Sequence, residues 1–136
     1  MKKLLAVVLA VSLFFPVVSS AKISVSAAVS GNFTYTIHAD PLFGEYAEIT
    51  QYSGSDAFVE IPAVLGGKHV REIGIDAFLL SVSMTRVYIP DSVVSIKMNA
   101  FKNCTELTAV TFPASVESID FNAFRGCSKL AKVFFL

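Results

Sequence analysis

A repeat with a period of 23 constrains this chain more than any other feature of its sequence. The pair Ala-Phe occurs three times at this spacing, at residues 77–78, 100–101 and 123–124. Apolar residues recur in step with it: Val70, Val93 and Val116; Ile73, Ile96 and Ile119; Met84, Leu107 and Leu130; Val87, Val110 and Val133; Ile89, Phe112 and Phe135. A fixed period of about 20 to 50 residues is typical of a solenoid, in which each coil buries its apolar face against its neighbours. We therefore predict a β-rich solenoid.

The middle copy of the repeat predicts the path of one coil. Residues 107–113 alternate apolar and polar side chains up to a proline, which is the pattern of a strand stopped by a residue without an N–H group. Residues 116–119 predict a shorter extended stretch on the opposite side of the coil. A short helical turn is expected next, with a polar N-cap before it and an aromatic ring stacked in the core. The N-cap candidates are Asp76, Asn99 and Asn122, and the stacked rings are Phe78, Phe101 and Phe124.

The first coil is longer than the others. Eleven positions separate Pro62 from Ile73, whereas six separate Pro90 from Ile96. Insertions in solenoids form loops on one face, and Gly66-Gly67 is a turn signal within this one.

Residues 1–21 predict a signal peptide. Two lysines precede an apolar run at residues 4–18, and small residues follow it. The run is short for a membrane span. We place cleavage after Ala21; a cut after Ala27 or Ala28, or an uncleaved anchor helix, is the alternative. The segment predicts an exported protein, secreted or held at the cell surface, and its opening is typical of bacteria.

The segments that follow predict a tether and then a cap. Residues 22–32 are small and polar, so we assign them to a tether. Residues 33–62 predict a β-rich N-terminal cap over the first coil, and residues 63–136 predict about three coils. The strands expected in the cap cover residues 33–38, 47–52 and 58–61.

Charge and length exclude two classes of partner. Loss of the signal peptide leaves nine basic residues against eleven acidic ones, a net charge of −2, and no basic run remains. Nucleic acid is therefore not an expected partner. No second apolar stretch reaches the length of about 18 residues that a membrane span requires. No span is therefore expected after cleavage.

The repeat pattern resembles that of the BspA-type leucine-rich repeats. The shared pattern is Val-x-Ile-Pro-x-Ser-Val-x-x-Ile followed by Ala-Phe, Cys and Leu. This chain carries it as Val87-Tyr-Ile89-Pro90-Asp-Ser92-Val93-Val-Ser-Ile96, then Ala100-Phe101, Cys104 and Leu107. The resemblance covers roughly residues 33–136. It implies a secreted or surface-exposed protein that binds host proteins, other cells or matrix without covalent chemistry, as an adhesin does.

Side chains that point away from the core on the long strands form the candidate binding surface. Solenoids use such extended faces for recognition, and Tyr and Arg are common interface anchors. The alternative is that these are ordinary surface residues of strands. The candidates are Arg86 and Tyr88, Ala109 and Thr111, and Lys132 and Phe134.

Cys104 and Cys127 lie one period apart and are the only cysteines. An exported chain favours a disulfide. However, equivalent positions on adjacent coils lie about 4.7–4.9 Å apart with parallel side chains, whereas a disulfide brings the Cβ atoms to about 3.8 Å. We expect two buried thiols, with a Cys104–Cys127 disulfide as the alternative.

The sequence supports neither an enzyme nor a bound cofactor or metal. His38 and His69 do not have the spacing of metal ligands, and HExxH, GxSxG and CxxC are absent. Residues 53–56, Ser-Gly-Ser-Asp, predict a turn rather than a nucleophile. The expected partner is a protein or a cell surface.

The end of the repeat array suggests an alternative role. Leu130, Val133 and Phe135 follow the core positions of a strand, but no polar capping face follows them. An open strand edge is a template for another strand. The alternative function is therefore an assembly module that self-associates through its C-terminal strand, or a fragment of a longer array.

Overall fold

Every coil contributes one strand to each of two sheets. The computed structural model describes residues 23–24 and 27–136, which form twelve strands and no helix. The predicted signal peptide, residues 1–21, lies outside the described residues. The strands are β1 (Ile23–Ser24), β2 (Ala28–Ser30), β3 (Phe33–Asp40), β4 (Gly44–Tyr52), β5 (Phe58–Glu60), β6 (Val64–Leu65), β7 (Lys68–Ile73), β8 (Arg86–Tyr88), β9 (Ser95–Ile96), β10 (Ala109–Phe112), β11 (Ser118–Ile119) and β12 (Lys132–Phe135).

The two sheets confirm the predicted solenoid. In sheet 1 the strand order is β1-β3-β4-β7-β9-β11, with β2 pairing with β3 and β6 with β7. In sheet 2 the order is β12-β10-β8-β5, and all of its pairs are parallel. The short stretch expected at residues 116–119 is β11, and the strand expected at residues 107–113 is β10. Parallel pairing between coils follows from the constant spacing of the repeat.

The core consists of ladders of apolar side chains from equivalent positions of successive coils. Ile73 pairs with Ile96, which pairs with Ile119. The rings of Phe78 and Phe101 stack at 4.7 Å between centroids, and those of Phe101 and Phe124 at 5.0 Å. The predicted stacking is therefore confirmed, and Phe78 and Phe101 are fully buried.

The aromatic ladder continues into the N-terminal strands. Tyr52 stacks on Phe78 at 5.1 Å, and Phe33 packs on Tyr52 at 5.2 Å. The Tyr52 hydroxyl donates to Asp56 Oδ2 at 2.7 Å. Burial, reinforced by this hydrogen bond, raises the pKa of Tyr52. Tyrosine supplies an apolar ring for the stack and a polar end that Asp56 satisfies.

The predicted tether contributes strands to sheet 1. β1 and β2 both pair antiparallel with β3, so the sheet extends into residues 22–32. Gly31 and Asn32 separate β2 from β3, and Gly31 has a φ of +57°. A two-residue loop that contains Gly is a strong hairpin signal. The small residues at 28–30, predicted as part of a tether, therefore form a strand at the edge of sheet 1.

β5 belongs to the solenoid rather than to the cap. β3 and β4 form an antiparallel pair, and β4 continues sheet 1 beyond β7. β5, expected as the third strand of the cap, pairs with β8 in sheet 2 instead. The five-residue insertion forms the short antiparallel pair of β6 with β7, which is the loop expected on one face.

The segments expected to be helical turns are single turns of five residues, and none of them forms a helix. Each begins and ends at a residue with positive φ: the starting residues have φ of 57–61° and the final ones 60–79°. A left-handed residue at both ends leaves no room for an α-helix. The starting residues are Asp76, Asn99 and Asn122, and the final residues are Leu80, Asn103 and Gly126.

The interpretation of the Asp/Asn ladder as N-caps is therefore wrong. An N-cap residue has extended backbone angles and accepts a hydrogen bond through its side chain. Asn99 Oδ1 is buried without a hydrogen-bond partner among the described residues. Asp and Asn recur because they tolerate the left-handed conformation better than other residues with a Cβ atom.

Substitution at Asn99 tests this explanation. Asn99→Ala should lower the free energy of unfolding by about 1 kcal/mol relative to Asn99→Gly, because alanine adopts positive φ at a cost that glycine avoids. Urea denaturation of the two variants measures the difference. Equal stability of the two variants would contradict a backbone role for this position.

Candidate functional site

Sheet 2 brings all the predicted binding residues onto one face. Arg86 pairs with Ala109, which pairs with Lys132, so these residues form one row across the sheet. Tyr88, Thr111 and Phe134 form a second row in the same way. Alternate residues of a strand point to the same side of the sheet, so both rows lie on the side opposite the core.

β5 adds two residues to this face that the sequence analysis missed. Phe58 pairs with Arg86, and Glu60 pairs with Tyr88. Phe58 lies 28 positions before Arg86, which is the period of 23 plus the insertion of five. Subtracting the insertion from the numbering would have revealed both residues. Of the residues in these rows, we refer to Phe58, Arg86, Tyr88, Thr111, Lys132 and Phe134 as the sheet-2 face; Glu60 ends the second row and lies outside the groove that they line.

The sheet-2 face lines a groove of about 470 Å³. Its aromatic side chains are accessible, since Phe58 is 57% exposed and Phe134 is 51% exposed. Exposed rings that share one groove with polar side chains are the usual anchors of a protein interface.

The charge of the groove is positive. Lys129, on its rim, is held by Glu106 at 2.6 Å. Neither Arg86 nor Lys132 has a carboxylate partner in the part of the chain that the structure describes. Their charges are therefore available to a ligand.

Threonines immediately before β8 and β10 fix the spacing of these strands from their neighbours. Thr85 Oγ1 donates to the carbonyl oxygen of Ala57 at 2.8 Å, and Thr108 Oγ1 donates to that of Thr85 at 2.9 Å. These bonds join adjacent coils at the residues that immediately precede Arg86 and Ala109. The strands and their side chains are thereby held in place before any ligand binds.

The two cysteines contact each other from adjacent coils. The structure has both as free cysteines, Cys104 buried and Cys127 half-buried. Each Sγ atom lies 3.1 Å from a backbone carbonyl oxygen of the preceding coil, that of Phe78 or Phe101. The hydrogen bond between the thiols lowers the pKa of Cys127 and, together with burial, raises the pKa of Cys104. A disulfide between Cys104 and Cys127 remains the alternative prediction.

The remaining polar candidates have structural contacts. In the predicted turn at residues 53–56, Asp56 accepts from Tyr52 and from Asn32 Nδ2, the latter at 3.3 Å. His38 Nε2 lies 2.6 Å from Glu48 Oε2 within sheet 1. Across residues 23–24 and 27–136, no three His, Cys, Asp or Glu side chains come together as a metal site.

Comparison with known families identifies the repeats. The family model for the BspA-type leucine-rich repeat region matches residues 54–136 in six copies. The match begins just before β5, in agreement with the placement of that strand in the solenoid. No curated protein matches the chain.

Solved bacterial structures share the fold. The chain is 32% identical to a Treponema pallidum leucine-rich-repeat protein, with a TM-score of 0.71 over 81% of this chain and 50% of that one. It is 34% identical to a leucine-rich cell surface protein from Faecalibacterium prausnitzii, with a TM-score of 0.69 over 83% of this chain and 33% of that one. For a Bacteroides ovatus leucine-rich-repeat protein the identity is 28% and the TM-score 0.67, over 78% of this chain and 28% of that one.

The chain thus spans half or less of the length of these three proteins. Within its described residues there is no helix long and apolar enough to cross a membrane. The family match covers more than half of the chain and agrees with the parallel coils, the aromatic ladder and the residue pattern. The chain belongs to the BspA-type leucine-rich-repeat family.

Proposed function

We propose that this is an exported binding protein of bacteria that holds a protein or cell-surface partner on its sheet-2 face. The observation that carries the proposal is the alignment of aromatic and unpaired cationic side chains from three of the four strands of sheet 2 along one groove. Scattered surface residues would not share a row. Solenoids commonly bind their partners on such extended faces.

The chemistry of the face defines the partner. Phe58, Tyr88 and Phe134 offer rings to apolar side chains, and Arg86 and Lys132 offer charge to carboxylates. A complementary surface therefore combines acidic and apolar residues. Electrostatic attraction would speed association, and the rings would slow dissociation.

Export rests on separate observations. Residues 1–21 have the charge, apolar run and small residues of a signal peptide. The F. prausnitzii relative is a cell surface protein. Both support a location outside the cytoplasm, where host proteins and matrix are available as partners.

Two substitutions test the binding proposal. Arg86→Ala and Tyr88→Ala should each weaken binding to immobilised matrix proteins or whole cells about tenfold or more, because both positions are near the centre of the groove. Surface plasmon resonance of the processed protein measures the affinity. Lys102→Ala is the matched control, since Lys102 lies in a turn outside the groove.

The molar mass in solution distinguishes this proposal from self-association. The two variants should keep the mass of the wild-type protein while losing their ligand. Unchanged affinity in both variants would overturn the sheet-2 face as the binding site.

A second candidate function is self-association through β12. This strand is at the edge of sheet 2, and its inward side chains Val133 and Phe135 are 47% and 78% exposed. Phe112, one coil earlier, is only 6% exposed. An edge strand with accessible apolar side chains pairs readily with a second strand.

Light scattering at micromolar concentration tests this second function. The wild-type chain should form dimers or larger species, and Val133→Lys should shift it towards monomer because charged residues block pairing at sheet edges. A wild-type protein that remains monomeric would exclude assembly through β12 at that concentration.

A further inference from the structure

A second and larger groove lies where the chain passes from sheet 2 to sheet 1. We call it the corner groove. It has a volume of about 880 Å³ and is open to solvent. The residues that matter for its chemistry are Glu60, His69, Arg71, Tyr88, Asp91 and Ser92. Sites for small ligands commonly occupy about 300 to 1,000 Å³, so the groove suits a short ligand.

Hydrogen bonds hold the walls of the corner groove together. Ser92 Oγ donates to the carbonyl oxygen of Ala63 at 3.3 Å and thereby joins the second coil to the insertion. The amide of Val70 donates to the same oxygen at 2.9 Å. The amide of Val94 donates to the carbonyl oxygen of Arg71, also at 2.9 Å. The segment that carries the five-residue insertion supplies Ala63, His69 and Arg71 to the lining. A smaller pocket lies at the equivalent turn of a later coil, around Pro113 and Ala114, but Glu117 is the one charged residue in its lining.

The groove carries charges of both signs, Arg71 against Glu60 and Asp91. His69 and Arg71 lie on β7, whereas Glu60 ends β5 and Asp91 follows Pro90. Arg71 packs its guanidinium 4.7 Å from the centre of the Phe43 ring. None of these four charged or titratable side chains has an ion-pair partner in the described part of the chain. The carboxylates of Glu60 and Asp91 therefore have no cationic partner in this part of the chain, and Arg71 has an aromatic contact but no carboxylate partner.

We propose that the corner groove binds a short neutral oligosaccharide. A sugar hydroxyl both donates and accepts hydrogen bonds, so one ligand can satisfy the carboxylates of Asp91 and Glu60 and the guanidinium of Arg71. The apolar face of a sugar ring can pack on Tyr88, which lies between the two grooves. A ligand with charge of one sign would meet repulsion from the groove residues of the same sign. The two grooves share Tyr88, whereas Arg71 and Asp91 line only the corner groove and Arg86 lines only the groove of the sheet-2 face.

Isothermal titration of the processed protein with neutral oligosaccharides tests the proposal. The probes are cello-, malto-, manno- and xylo-oligosaccharides of four to six sugars, with an oligogalacturonate as the charged comparison. At least one neutral series should saturate, and the oligogalacturonate should bind more weakly. Asp91→Asn and Arg71→Gln should each weaken the interaction about ten- to a hundredfold, because each removes a charged hydrogen-bond partner.

Lys102→Ala is again the control and should bind the sugar as the wild-type protein does. Thermal melting curves confirm that the variants are folded. Absence of saturation with every neutral probe, tighter binding of the oligogalacturonate, or unchanged affinity in both variants would overturn the proposal. Loss of matrix binding in Arg86→Ala with sugar binding intact shows that the two sites are separate, so either proposal can fail alone.

Discussion

Phe101→Ala should destabilise the protein by about 3–5 kcal/mol, the usual range for truncation of a buried phenylalanine. The ring is fully buried and stacks on both sides, on Phe78 at 4.7 Å and on Phe124 at 5.0 Å. Removing it leaves a cavity between two coils that the repeat geometry holds at fixed spacing. The loss approaches the total stability of a small domain, about 5–15 kcal/mol. Urea denaturation followed by circular dichroism measures it.

Phe124→Ala is the matched comparison for this prediction. Phe124 occupies the equivalent position one coil later but is only half-buried. Its truncation removes less buried surface and should therefore cost clearly less than that of Phe101. Equal costs at the two positions, or a Phe101→Ala variant as stable as the wild type, would contradict the role of the stacked rings in joining the coils.

Reversing both free charges of the sheet-2 face should weaken partner binding about a hundredfold or more. Arg86→Glu combined with Lys132→Glu places two carboxylates in one row, where an acidic partner surface would meet them. A hundredfold change corresponds to about 2.8 kcal/mol. Most of the loss of affinity should come from a slower association rate. The loss should become smaller at high ionic strength, because salt screens the charges. Surface plasmon resonance at low and high ionic strength measures both effects.

A charge reversal outside the grooves is the control for that experiment. Lys102→Glu changes the net charge of the protein in the same direction without altering the sheet-2 face. It should change the affinity only slightly. If Lys102→Glu weakened binding as much per charge as the double variant does, net charge rather than the face would govern association.

The coils could be predicted from the sequence because a constant repeat length aligns each apolar residue with its equivalents in the neighbouring coils. Ile73, Ile96 and Ile119 must align once the spacing of the repeat is constant, and they do. The outward rows of sheet 2 follow from the same alternation, and for this reason Arg86 and Lys132 could be placed in one row.

The turns could not be predicted in the same way. An Asn before Ala-Phe is compatible with an N-cap or with a left-handed backbone, and the two differ in backbone angles and in side-chain hydrogen bonding, neither of which the sequence shows. Asn99 adopts a φ of 58°, and Asn103 ends the same turn at 60°. The second left-handed residue is decisive, but Leu80, Asn103 and Gly126 share no side-chain type that would reveal it.

The corner groove could not be predicted from the sequence either. Glu60, Arg71 and Asp91 are far apart along the chain and lie in different parts of the coil. They meet only because the insertion changes the path between sheet 2 and sheet 1. A period analysis finds what the coils share, whereas Glu60, Arg71 and Asp91 have no charged counterparts in the pocket at the equivalent later turn except Glu117.

Hydrogen–deuterium exchange of the complex with a bound matrix protein tests the central claim most directly. If the partner lies on the sheet-2 face, protection gained on binding should be concentrated in β8, β10 and β12, with sheet 1 unchanged. The Arg86→Glu, Lys132→Glu variant should lose that protection at the same protein concentration. Protection confined to sheet 1 or to the turns, with none in sheet 2, would contradict the claim.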